Sequence, residues 1–185
     1  MPYTVKPTAL SGVLILEPKV IADKRGFFLE SFNQRDFLAA TGLDVTFVQD
    51  NHSQSSKGVL RGMHYQVEHA QGKLVRVVRV AVFDVAVNLM RGHPEFGKWT
   101  GSYLDEENKR QLWIPPGFAH GFLVLSDKVD FLYKTTDFYS PRAERCLAWN
   151  DPTVAIEWPL EAEPTLAAKD TAGMALALAD VFDLA

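Results

Sequence analysis

Cysteine is all but missing: Cys146 is the only one among 185 residues, so no disulfide can form within the chain. A lone thiol fits a reducing compartment, and a cytoplasmic location is expected. Met1 to Lys6 lacks the apolar stretch of a secretory signal. Nowhere is there a run of about 18 apolar residues, and the Ala/Leu-rich tail Ala172 to Leu178 is too short to span, so no membrane association is expected. Positive charge is not in excess either. The formal net charge of −4 offers no broad footprint for nucleic acid, although a local basic pocket for an anion is compatible with it. No repeat, low-complexity block or linker divides the chain, so residues 1–185 read as one domain.

Helix-length periodic segments between strands are missing as well, which argues against a doubly wound sheet. Short strand-like runs dominate instead: Val13 to Leu16, Phe27 to Phe32, Val45 to Val48, Val59 to Tyr65, Leu74 to Val80, Val82 to Leu89, Trp99 to Leu104, Gln111 to Ile114, Gly121 to Leu125 and Val129 to Thr136. Turn residues separate most of them, as in Arg91-Gly92-His93-Pro94. Asn33 to Gly42 reads as a brief helix, with Asn33 as its cap, Phe37 and Leu38 on an apolar face and Gly42 at its end. Residues after Asn150 read as irregular segments wrapping a barrel, with a terminal helix from about Thr171. The expected class is all-β, a sandwich or barrel with a few short peripheral helices.

Four groups of residues can carry chemistry. The first is Arg61-Gly62-Met63-His64-Tyr65-Gln66, at a strand end. Strict alternation puts Arg61, Met63 and Tyr65 on one face and Gly62, His64 and Gln66 on the other. A lone histidine is more often a hydrogen-bonded structural residue, although histidine suits proton transfer near neutral pH. The second is Pro115-Pro116-Gly117-Phe118-Ala119-His120-Gly121-Phe122. Read blandly it is a tight turn. Its Pro-x-Gly-x-x-His pattern also resembles the second motif of the cupin superfamily, whose fold is a jelly-roll barrel. Metal-binding cupins carry a His-x-His pair and a glutamate in their first motif, whereas this chain has His64-Tyr65-Gln66. His64 and His120 alone fall short of the three protein ligands that a stable divalent site normally needs, so no metal is expected. The third group is Arg25 and Glu30, Gln49-Asp50-Asn51, and Lys73. Taken singly these are ordinary solvated groups, but arginine and lysine are also the groups that grip phosphate. The fourth is Tyr133-Lys134, Tyr139, Glu144 and Lys169-Asp170, where a tyrosine can donate a proton or stack on a base, or merely pack. Cys146 has no activating neighbour in sequence and reads as inert packing.

In this order the groups resemble one family. Phe47-Val48-Gln49-Asp50-Asn51-His52-Ser53, Gly58-Val59-Leu60-Arg61-Gly62-Met63-His64-Tyr65-Gln66, Gln71-Gly72-Lys73-Leu74-Val75-Arg76, Phe83-Asp84-Val85-Ala86-Val87, Gln111 to Phe122, and Tyr133-Lys134-Thr135-Thr136 are similar to the dTDP-4-dehydrorhamnose 3,5-epimerases, from about Gly12 to Asp170. The resemblance implies a cupin-type jelly-roll β-barrel and a homodimer with exchanged N-terminal strands. It also implies a dTDP-sugar substrate in dTDP-L-rhamnose biosynthesis, with neither metal nor cofactor. His64 would be the base at C3 and C5, Asp170 its orienting partner, Tyr133 the acid on the opposite face and Lys73 the stabiliser of charge on the C4 oxygen. Arg25, Glu30, Gln49, Asp50, Asn51, Arg61, His120, Glu144 and Lys169 would hold the nucleotide sugar, joined by Lys73, and Tyr139 would stack on thymine. A relative that inverts only C3 or only C5 could share this whole set. The chain departs from the family at Ala81, Asn88, Met90 and Ala167, where Gly, Asp, Arg and Ser are usual; none is a proposed catalytic position.

Overall fold

The computed structural model describes residues 3–184. Its strands in chain order are β1 (Thr4–Pro7), β2 (Leu14–Glu17), β3 (Ile21–Asp23), β4 (Gly26–Phe28), β5 (Gln49–Ser56), β6 (Leu60–Gln66), β7 (Lys73–Arg79) and β8 (Ala81–Asn88). They continue with β9 (Met90–Arg91), β10 (Trp99–Asp105), β11 (Gln111–Ile114), β12 (Phe118–Val124), β13 (Lys128–Thr135), β14 (Glu144–Cys146) and β15 (Phe182–Asp183). Two short helices, α1 (Gln34–Thr41) and α2 (Ala168–Thr171), lie outside the sheets.

A six-stranded sheet of order β1-β2-β11-β7-β13-β5 faces a five-stranded one of order β10-β8-β12-β6-β14. This is the jelly-roll barrel expected from the sequence. Alternate residues of both sheets point inward. Val75 and Val77 of β7, Val82 and Ala86 of β8, Phe118 and Phe122 of β12 and Phe131 of β13 form one buried cluster between them. Phe122 and Phe131 stack across the gap with centroids 4.1 Å apart. The opposite residues pack outward under two covers. Met63, Tyr65, Val85 and Leu147 lie beneath the C-terminal segment. Leu16, Leu74 and Trp113 lie beneath α1 and its Phe37.

The helix α1 follows the sequence signals closely. Asn33 accepts the Asp36 N–H through its side chain, and Gly42 closes the end at φ +73°. Three expectations are corrected. Val45 to Val48 forms no strand; Val45 and Phe47 instead pack with Phe32 and Phe37 beside Trp113. The strand beside them is β5, read from the sequence only as a polar cluster. The terminal helix expected from Thr171 ends there, because Gly173 lies against the backbone of Ala148 and Met174 pairs with Leu147, so the tail runs on as an irregular strap. Val13 to Leu16 is a strand as expected, and β2 is paired on both sides, with β1 and with β11. Among the described residues the hairpin β3–β4 pairs only with itself, and it leaves Ile21, Phe27 and Phe28 exposed.

Two of the departures have local explanations. Asn88 accepts the Met90 N–H at 2.8 Å and meets His93 Nδ1 at 3.2 Å, so a hydrogen-bonded turn joins these two positions. Ala167 is the N-cap of α2 and offers it no side-chain bond. Nothing in the structure explains Ala81.

Candidate active site

The inner barrel cluster does not fill the space between the sheets. At one end the inward positions turn polar, and a cavity of about 510 Å³ opens there. β5 contributes Gln49 and Asn51, β6 His64, β7 Lys73, β12 His120 and β13 Tyr133. Tyr139 from a loop, Glu144 from β14, and Lys169 and Asp170 from α2 line the same cavity.

His64 reaches the wall through a close crossing of β6 and β12. A Cβ on Gly62 would lie 2.5 Å from the Cα of Gly121, and one on Gly121 would lie 2.7 Å from the Arg61 carbonyl. Only two glycines allow the strands so near. The register shifts there, between the His120–His64 and Phe122–Arg61 pairs. Strict alternation therefore fails at this point. Met63 and Tyr65 pack outward while Arg61 joins His64 in the cavity, a correction to the sequence reading.

The Nε2 of His64 meets Asp170 Oδ1 at 2.5 Å, and Asp170 is 2% exposed. Lys73 is buried and donates from Nζ to the His64 carbonyl at 3.1 Å. Burial lowers its pKa to about 8, against the pull of Asp84 and Glu144. Tyr133 belongs to the opposite sheet from His64, and burial raises its hydroxyl above the ordinary value. His120 meets the fully buried Asp84 at 3.0 Å, where burial pushes the histidine down and the carboxyl up, each toward its neutral form. At the mouth, Glu144 accepts from Lys169 at 2.7 Å and from the Tyr139 hydroxyl at 3.1 Å. Burial alone would raise Glu144, but the Lys169 bond and charge outweigh it and hold its pKa low.

Gln49 donates to Asn51 at 2.9 Å, leaving the buried Asn51 Nδ2 without a partner among the described residues. Arg61 is braced by Ser55 at 2.8 Å. Three expected residues lie elsewhere. Asp50 points to the outer face of β5, where it pairs with Lys134 at 2.8 Å. Arg25, 83% exposed at its side chain, pairs with Asp23 on the hairpin, and Glu30 lies beyond the cavity beside Asn33. Sequence reasoning gave no role to Asp84, although a carboxylate within the apolar run Val82 to Val87 was a signal that something buried must answer it.

The cavity thus holds an imidazole backed by a carboxylate, a phenol on the facing wall, a buried ammonium, and cations at the mouth. A base and a donor on opposite sides, with a cation near developing oxyanion charge, suit proton exchange beside a carbonyl.

The family model for dTDP-4-dehydrorhamnose 3,5-epimerase matches residues 7–177. The dTDP-4-dehydrorhamnose 3,5-epimerase of Pseudomonas aeruginosa is 60% identical over 174 residues, 94% of this chain and 96% of that one. The crystal structure of a dTDP-6-deoxy-D-glucose-3,5-epimerase from Legionella pneumophila in complex with dTDP-4-keto-L-rhamnose superposes with a TM-score of 0.97 at 48% identity, covering 99% of both chains. A 3'-monoepimerase from Streptomyces bikiniensis in complex with dTDP-quinovose superposes with a TM-score of 0.87 at 33% identity, over 92% of this chain and 87% of that one.

Proposed function

The chain belongs to the dTDP-4-dehydrorhamnose 3,5-epimerase family, and on that premise we propose how its own residues act. The enzyme is an isomerase. It converts dTDP-4-dehydro-6-deoxy-D-glucose to dTDP-4-dehydro-L-rhamnose by inverting C3 and C5, a step of dTDP-L-rhamnose biosynthesis.

His64 removes the proton at each carbon in turn, held and electrostatically supported by Asp170. Tyr133 returns a proton from the other side of the ring. Lys73 stabilises the negative charge that moves onto the C4 oxygen, without which a hydrogen beside the ketone is not acidic enough to leave. One base serves both carbons if the ring shifts between the two steps. Arg61, Lys169 and the open amide of Asn51 offer donors to the diphosphate and sugar, and Tyr139 offers a face to thymine. The observation that carries this reading is the placement of His64 and Tyr133 on opposite sheets around one cavity.

A homodimer fits the same reading. Ile21, Phe27 and Phe28 are half exposed or more on a hairpin that, among the described residues, pairs only with itself, and an isolated two-stranded hairpin is marginal alone. Laid against a second copy, the hairpin would bury those side chains and carry Arg25 toward the partner's cavity. Light scattering at assay concentration is expected to give twice the chain mass; an active monomer would refute this part. The lone thiol favours a cytoplasmic location.

The deciding test is proton NMR of the reaction in deuterated water. Deuterium is expected at both C3 and C5 of the product. Exchange at one carbon only would make the enzyme a mono-epimerase.

A further inference from the structure

Cys146 stands directly opposite His64 in the antiparallel β14–β6 register. One donor atom each of His64, Cys146 and Asp170 lie together within 4.8 Å of one another. Asp170 is buried, and His64 keeps 23% of its side chain open to the cavity. The thiol donates a long hydrogen bond, 3.6 Å, to the neighbouring Leu147 carbonyl. Epimerisation as described above makes no use of a sulfur at this place.

We propose that these three side chains form an inhibitory site for a borderline-soft divalent cation, Zn²⁺ above all, which takes the place of the proton that His64 must carry. The site itself rests on geometry; its inhibitory effect rests on His64 being the base. An imidazole nitrogen, a thiolate and a carboxylate oxygen are three donors that zinc accepts, and three protein ligands with one position open is a common zinc arrangement. Here the open position faces the cavity. Tetrahedral bonds of about 2.0–2.3 Å set neighbouring donors roughly 3.3–3.6 Å apart. The His64–Asp170 contact, 2.5 Å without a metal, therefore opens by about an ångström to admit it, and the sulfur, already within 4.8 Å of both donors, closes on it. The thiol proton leaves to solvent as the metal enters, and the proton that Nε2 shared with Asp170 is kept by the ring at Nδ1. The sulfur is what makes the site selective, since Mg²⁺ and Ca²⁺ take oxygen ligands. With the metal seated, the imidazole lone pair is occupied and Asp170 no longer orients a base.

The test uses metal-stripped enzyme titrated with Co²⁺, whose bond to a thiolate gives a near-ultraviolet charge-transfer band. A saturable band at one equivalent, displaced by Zn²⁺, is expected. Cys146→Ser and Cys146→Ala should lose the band, bind Zn²⁺ at least about tenfold more weakly through loss of one of three ligands, and retain metal-free turnover. Zn²⁺ that stops the wild type should leave both variants active. No band in the wild type, or a band that survives in both variants, would overturn the site. A normal band with full turnover under saturating Zn²⁺ would instead overturn the inhibition, together with His64 as the base.

Discussion

Asp170 reaches back 106 residues to hold the ring of His64, Oδ1 to Nε2 at 2.5 Å. If the two act as one unit, their losses are not additive. His64→Ala is expected to lower kcat by about 10²–10⁴, with a smaller change in substrate affinity. Asp170→Asn keeps the shape and removes the charge, so it should also slow turnover. The double variant should be no slower than His64→Ala alone. Steady-state kinetics of the four proteins test this. Fully multiplicative losses, or near-normal turnover in folded His64→Ala, would break the proposed dyad.

Tyr133→Phe separates two events that normally follow each other. Its ring remains packed against Phe131, with centroids 6.1 Å apart in the wild type, so only the hydroxyl is lost. His64 can still remove a proton and return solvent hydrogen to the same face. The expected result is deuterium incorporation with little inversion. Wild-type epimerisation would reduce Tyr133 to a packing residue.

Lys73 carries a pH signature. Its pKa in the fold is about 8, against 10.5 for an unburied lysine, with burial the main cause. The ammonium is the form that stabilises the C4 oxygen, so kcat/KM should fall as pH rises through about 8. Stability moves the other way. Between about 8 and 10.5 the unfolded chain binds the extra proton, so that stability rises with pH across that window. Lys73→Met should be inactive yet melt no lower than wild type at pH 7, with any advantage shrinking above pH 8. A large loss of Tm at pH 7 would show that the Lys73–His64 carbonyl bond outweighs the cost of burying the charge.

Ala167 leaves the first turn of α2 uncapped although its φ of −76° and ψ of 158° suit a capping residue. Ala167→Ser should therefore stabilise by about 0.5–1 kcal/mol, the usual return for such a cap, and raise Tm by roughly 1–4 °C. Turnover should hold, since α2 already places Lys169 and Asp170. Calorimetry decides; an unchanged or lower Tm would mean that α2 is held by its docking alone.

The sequence by itself determined the architecture and the chemical inventory. Alternating apolar runs report which faces must leave water, and β11 appears at Gln111–Ile114 as read. Asn33 and Gly42 set the ends of α1 because capping is a local interaction. The same logic fails at β5. Its eight residues, Gln49–Ser56, contain no apolar side chain, because one face lines the cavity and the other faces outward, so no hydrophobic period marks the strand. Tertiary structure alone decided what long-range register controls. It swung Arg61 into the cavity at the β6–β12 shift, sent Asp50 to the outer face, and placed Asp84 beneath His120 and Cys146 beside His64. Such distances follow from which strands pair and where they slip, and residue spacing along the chain carries no record of that.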